Sequence, residues 1–224
     1  NNVLPSRVVQ CIAPDCTTGA DEAYRLEITP DSVFIQSTTV TGAFRGEETL
    51  KQLLRSGKGT TSACVINDAP RYSWRGFMLD ESRHFFGKEK VKQLLDIMAS
   101  LRLNVFHWHL TDEPGWRIEI KKYPLLTKVG SKGNYHDPSS PAAFYTQEDI
   151  KDIVAYAAAR HIMIVPEFDM PGHAVLSTQI EIAVAVETRR QFAAKFEDHI
   201  GSMHQRGDVA PFADGIPDSI EFIA

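Results

Sequence analysis

Apolar and polar positions alternate in YRLEI (24–28), the period of a half-buried strand. After the turn residues Pro30 and Asp31, VFIQSTTV (33–40) is rich in β-branched residues and predicts one or two further strands. EETLKQLLR (47–55) changes to the helical period, with Leu50, Leu53 and Leu54 on one face, and SACVI (62–66) returns to strand. The turn-like NDAPRY (67–72) closes this region. Residues 1–20, with Pro5, Pro14 and Gly19, carry no period and predict an irregular lead-in. The region therefore predicts a small α+β domain over residues 1–70.

From residue 71 the rhythm becomes strand–helix–strand. GFMLD (76–80) is a short apolar run ending in an acid. KEKVKQLLDIMASL (88–101) places Val91, Leu94, Leu95, Met98 and Leu101 at helical spacing. The strand NVFHWHL (104–110) follows, then a long polar connection through 145. TQEDIKDIVAYAAAR (146–160) begins a second helix, with Thr146 as cap and Asp149 three residues on, as in a capping box. Its buried stripe is Ile150, Ile153, Val154, Ala157 and Ala158, and HIMIVPEFD (161–169) is the third strand. Strands alternating with helices predict a parallel α/β sheet with helical crossovers.

Composition narrows the function classes. Hydrophobic residues make up 43% and charged residues 24% of the 224, ordinary for a globular chain. The formal net charge of −5 gives no support for nucleic-acid binding, which leaves a basic footprint. No apolar run approaches the ~20 residues of a membrane span. The start NNVLPSR has neither methionine nor a charged-then-apolar signal segment, the expectation for a mature or trimmed chain. Cys11, Cys16 and Cys64 are an odd count, which favours unpaired thiols over a disulfide framework.

The chemistry-bearing residues gather where the three predicted strands end. They are Asp80 to Arg83, then Asp112 with Glu113, then Glu167, Asp169 and His173. Ligands bind at the carboxyl ends of parallel strands in barrels and open α/β sheets, so a functional site is expected there. In the second strand Phe106, Trp108 and Leu110 share an apolar face, and Val105, His107 and His109 share the other. Two readings of the histidines stand. They bind a metal, with further ligands from His161, His173, Asp169 or Glu167, because a catalytic zinc takes three protein ligands. Alternatively each is hydrogen-bonded inside a polar core. Arg83 offers a fixed fork of donors suited to sugar hydroxyls or carboxylates, or an ion pair with Asp80 or Glu81. Pro171 and Gly172 turn the chain so that His173 is presented near an aspartate, which fixes an imidazole's tautomer and charge.

RGFMLDESRHF, NVFHWHLTDEPGWRIEI and IVPEFDMPGHA, in this order, resemble the family-20 glycoside hydrolases, the β-N-acetylhexosaminidases, over about residues 74–174. AFRGEETLKQLL and INDAPRY resemble part of that family's small α+β domain, here shortened. The resemblance implies a (β/α)₈ barrel of the TIM type, partial or truncated here over 71–224. It implies removal of terminal N-acetylglucosamine or N-acetylgalactosamine from N-acetylhexosamine-containing glycans, with configuration retained because the substrate's own acetamido oxygen attacks the anomeric carbon. By the motifs, Arg83 binds hydroxyls of the terminal sugar, Asp112 and His173 form a supporting pair for the catalytic acid, and His109 lies beside the site. Glu167 and Asp169 are further site candidates. No metal or cofactor, no nucleic acid and no membrane span are implied. A secreted, periplasmic or lysosomal location is expected of the family.

The pattern breaks at the proton donor. The family carries an adjacent Asp–Glu pair after strand four, the Glu serving as general acid and base. The Asp–Glu dipeptides of this chain, Asp21–Glu22, Asp80–Glu81 and Asp112–Glu113, all precede strand three. After Ala174 the motifs stop, IEIAVAVETRRQFAAKFEDHI (180–200) reads as a helix, and Glu197–Asp198 reads as a solvated face. A full barrel takes ~250 residues, so the expectation is a truncated, spliced or engineered chain, or one lacking segments. Its open sheet edge is expected to call for a second chain as cover. The rival readings are a metal-dependent barrel hydrolase using His107 and His109, and a non-catalytic carbohydrate-binding remnant.

Overall fold

The computed structural model describes residues 2–3, 8–12 and 21–169, and the side chains of 21–169. The elements in order are β1 (Asn2–Val3), β2 (Val8–Ile12), β3 (Tyr24–Ile28), β4 (Val33–Ser37), α1 (Val40–Ser56), β5 (Thr61–Ser62), β6 (Cys64–Asp68), β7 (Gly76–Asp80), α2 (Lys88–Ser100), β8 (Val105–Asp112), β9 (Gly115–Trp116), α3 (Leu125–Gly130), α4 (Gln147–Ala158) and β10 (Met163–Phe168). The chain divides into two compact units. One holds Asn1–Met78, Lys88–His107 and Lys151–Val165; the other holds Leu79–Gly87, Trp108–Ile150 and the residues from Pro166 onward. The first therefore takes the amino-terminal halves of β7, β8 and β10, and the second takes their carboxyl ends.

In the first unit, one sheet runs in the order β2-β4-β3-β6. β2 is parallel to β4, while β3 is antiparallel to both β4 and β6. Alternation in β3 and β4 turns Tyr24, Leu26, Ile28, Val33 and Ile35 to one face, where Ala43 and Leu50 of α1 complete the core and Leu53 and Leu54 pack against it. A Cβ on Gly46 would come within 2.6 Å of Ile35, so a hydrogen there is what lets helix and sheet approach. The lead-in predicted as irregular contains β2, whose pairing is decided by a neighbour in space. The β-branched run ends sooner than its composition suggests. Thr39 Oγ1 accepts the Gly42 N–H at 3.0 Å and starts α1 at Val40. Cys64 carries a free thiol, and Cys16 lies outside the described residues.

The same unit holds a half-buried carboxylate. Glu22 accepts from Arg45 Nε at 2.7 Å, Arg75 Nη2 at 2.5 Å and Asn104 Nδ2 at 3.2 Å. Burial opposes its charge, but the hydrogen bonds from Arg75 and Arg45 outweigh that and hold the carboxyl below its ordinary value.

The α/β sheet has the order β10-β8-β7, with β9 folding back antiparallel on the end of β8. Asn104 N bonds Arg75 O at 3.0 Å and Glu81 N bonds His109 O at 3.0 Å. Both partners advance together along the chain, so β7 and β8 are parallel. Met163 N on Asn104 O (2.8 Å) and Asp169 N on Thr111 Oγ1 (3.0 Å) give the same sense for β10. Helices α2 and α4 make the two crossovers. Thr146 and Asp149 cap α4 reciprocally, each backbone N–H reaching the other's side chain at 3.1 Å, as the capping box predicts. The buried stripes are narrower than periodicity suggests: Val91, Leu95, Met98 and Ala99 on α2, Ile153 and Ala157 on α4. Leu101 is 61% exposed because α2 ends at Ser100 and Arg102 takes a left-handed turn (φ 60°). Ala158, at the last position of α4, is exposed as well. The helix expected over 180–200 lies outside the described residues.

Candidate active site

Strand alternation plays out on β8 as expected on one face. Phe106, Trp108 and Leu110 are buried, and Trp108 packs edge-on against Tyr145 at 4.9 Å between ring centres. His109 turns the other way, into a charged cluster built at the carboxyl strand ends. At the end of β7, Asp80 Oδ1 accepts the Arg83 N–H and Oδ2 accepts its guanidinium, both at 3.0 Å. The same Nη1 ion-pairs with Asp112 at the end of β8 and donates to His109 Nε2 at 3.0 Å. On the other side of the ring, His109 Nδ1 stands 2.9 Å from Glu167 of β10. His109 Nε2 also lies 3.1 Å from Asp112 Oδ2, so the ring is held between the carboxylates of Asp112 and Glu167. Asp112 Oδ1 accepts the Glu113 N–H at 2.6 Å, and Asp169 is anchored through its N–H on Thr111.

Burial orders these groups. The side chains of Asp112 and His109 are 3% and 5% exposed, while that of Arg83 is 42% exposed. The guanidinium therefore faces solvent while its far side is clamped by carboxylates. Donors from Arg83 beside carboxylate acceptors are what a polyol needs, since each hydroxyl both donates and accepts.

The sequence candidates divide as follows. Arg83, His109, Asp112, Glu167 and Asp169 come together in one unit. His173 lies outside the described residues, so its pairing with Asp112 does too. His161 lies 3.0 Å from Thr41 Oγ1 and joins no metal set among the described residues. His107 is half-buried on β8. One metal-like set occurs among the described residues, His109, Asp112 and Asp169, whose ligand atoms lie within 4.8 Å of one another. Arg83 already contacts two of the three, and a divalent ion would have to displace that cation. The set fits a metal poorly.

The Asp–Glu dipeptides also separate. Glu22 is held by two arginines, Glu81 has no solvent exposure, and Glu113 is exposed on the turn after β8. Burial pushes the Glu81 carboxyl above its ordinary value of 4.5, although it accepts from Tyr145 Oη at 2.6 Å and Phe86 N at 2.8 Å. A raised acid binds its proton more tightly folded than unfolded, so its contribution is fully present below the ordinary value. It is lost as pH rises through the window up to the folded value. Glu81→Gln keeps both bonds if the Tyr145 hydroxyl turns to accept. The urea midpoint of the variant is therefore expected to fall less than the parent's as pH rises above the ordinary value of 4.5; parallel curves would refute this.

Sequence reading missed Arg117. It is fully buried, and its guanidinium donates to five carbonyls: Glu81 (3.1 Å), Ser82 (3.0 Å), Ser131 (2.7 Å), Gly133 (2.8 Å) and Ala143 (3.2 Å). The only signal was its place in GWRIEI, directly after the turn that ends β8.

Two family models match this chain: the catalytic domain of glycosyl hydrolase family 20 over residues 72–215, and domain 2 of the same family over residues 5–69. The chain belongs to glycosyl hydrolase family 20. The catalytic-domain match runs past Ala174, where the motifs stop, to residue 215. Among family-20 relatives, a β-hexosaminidase of Porphyromonas gingivalis is 44% identical over 164 residues, 69% of this chain and 21% of the relative. The α subunit of a β-hexosaminidase of Bos taurus is 40% identical over 175 residues, 75% of this chain and 32% of the relative. The chain thus spans about a fifth to a third of the length of these relatives. Among solved family-20 structures, the N-acetyl-β-hexosaminidase of Streptomyces plicatus superposes with a TM-score of 0.68 at 40% identity, covering 74% of this chain and 34% of that one. The exo-β-N-acetylglucosaminidase of Vibrio harveyi, solved with N-acetylglucosamine, gives 0.67 at 39% identity over 74% and 28%. Family 20 is a TIM-barrel family with a preceding small domain, and the described strands are a partial α/β fragment. Neither rival reading, metal-dependent hydrolase or binding remnant, finds support in these matches.

Proposed function

We propose that this chain is a β-N-acetylhexosaminidase-type glycoside hydrolase. It takes terminal N-acetylglucosamine or N-acetylgalactosamine of glycans as substrate, through retaining chemistry assisted by the substrate's acetamido group. The observation that supports this best is the half-exposed Arg83 guanidinium, clamped by Asp80 and Asp112 beside buried His109. In this reading Arg83 holds hydroxyls of the terminal sugar. Asp112, with His173, supports the catalytic acid; His109 holds Arg83 and Asp112 in place; Glu167 and Asp169 add acceptors around them. The sheet belongs to a (β/α)₈ barrel from residue 71 on, preceded by the small domain of residues 1–70. The β7 edge of that sheet, where Phe77 and Met78 are 43% and 51% exposed, is covered by further barrel strands or by a second chain.

In this reading no Asp–Glu dipeptide supplies the general acid, because Glu22 and Glu81 are tied up by their neighbours and Glu113 is exposed on the turn after β8, so the chain by itself binds the sugar and does not turn it over. The expected result is therefore N-acetylglucosamine binding by calorimetry without hydrolysis of a chromogenic β-N-acetylglucosaminide. Turnover at rates ordinary for glycosidases would place an acid–base residue in this chain. Absence of sugar binding would overturn the reading.

A further inference from the structure

We propose that Arg117 is a positioning residue for sugar recognition, acting through the loop that carries Arg83. This inference rests on the reading of Arg83 as the hydroxyl-binding group. Two of the Arg117 bonds go to the carbonyls of Glu81 and Ser82, the residues that lead into Arg83. Three go to Ser131, Gly133 and Ala143, in the loop after α3. That loop returns to the same place, because Tyr135 N donates to the Arg83 carbonyl at 3.1 Å. One planar cation thus ties together both segments that bracket the Arg83 backbone.

The anchor of this tie is itself rigid. Arg117 N bonds Leu110 O at 2.9 Å and Tyr145 N bonds Arg117 O at 2.7 Å, fixing its backbone to β8 and to the segment before α4. Ser82 Oγ adds a bond to Gly115 O at 2.8 Å. Gly115 is small for a reason: a Cβ there would come within 2.5 Å of the Arg117 guanidinium. Nothing else in the set can span five carbonyls. A lysine carries three donors on a point charge and no fork, so Arg117→Lys keeps the charge and loses the geometry.

Misplacing a binding group by about an ångström through a distant change costs up to about 10²-fold. N-acetylglucosamine affinity, read by calorimetry, is therefore expected to fall about tenfold in Arg117→Lys and in Gly115→Ala. In an Arg83→Lys background the same two changes are expected to cost less than about twofold, because the planar fork whose orientation they fix is already gone and a flexible ammonium replaces it. Equal losses in both backgrounds, or an unchanged affinity in Arg117→Lys, overturn the inference. A structural role alone would lower the melting temperature and leave no coupling to Arg83.

Amide exchange tests the inference apart from sugar binding. In Arg117→Lys the Arg83 and Tyr135 amides are expected to exchange about tenfold faster or more, with the β3 and β4 amides unchanged. Uniform acceleration throughout the chain overturns the proposal. A parent chain that binds no sugar but shows this local pattern overturns the function reading while leaving the loop-positioning role supported.

Discussion

Arg83→Ala is expected to lower N-acetylglucosamine affinity by on the order of hundredfold or more, because a charged donor fork contributes roughly 1.5–3 kcal/mol per bond to a ligand hydroxyl. The cost has a second part. Arg83 is the cation that contacts Asp80 and Asp112 at the strand ends, with Glu167 nearby on the far side of His109. Without it the set of His109, Asp112 and Asp169 loses the guanidinium that contacts two of its three members. The variant, unlike the parent, is then expected to gain thermal stability from micromolar zinc, since ligands that bind only the folded state raise its stability by mass action. Affinity unchanged in Arg83→Ala would remove the central residue from the proposed function. Zinc stabilisation of the parent would return weight to the metal reading.

The largest stability effect is expected at Arg117. Arg117→Met fills much of the same volume, yet five carbonyls lose the guanidinium, of which only that of Ser131 keeps a second donor (Ala143 N) among the described residues, and the Glu81 carboxyl loses a neighbouring cation. Each orphaned buried acceptor costs roughly 1–3 kcal/mol, and the terms do not add fully because the loops relax toward water. Removing one partner of a buried charged set typically costs about 3–5 kcal/mol, and that is the expected loss in urea unfolding. A loss below about 1 kcal/mol would mean that the loop carbonyls find other donors and that the tie is dispensable.

Local rules explain where sequence reading succeeded. β3 spans Tyr24–Ile28, where alternation put it, because that strand buries one face and period alone marks it. The capping box of α4 lies within four residues and needs no tertiary partner. Failures fall where a distant element intervenes or where a cap overrides the composition around it. β2 is a strand because β4 lies beside it, and Val40 is helical because Thr39 caps.

The candidate site shows the same division more sharply. Its residue types were legible at three strand ends: an arginine, three carboxylates and a histidine in family motifs. Motif and period by themselves determined which residues are candidates and on which strand each sits. Only the tertiary structure decided who touches whom. Arg83 meets His109 and Asp112 from 26 and 29 positions away because parallel strands set their carboxyl ends side by side. Arg117 was illegible for a different reason. Its partners are backbone carbonyls, which every residue has, so no pattern of side chains along the chain could announce them.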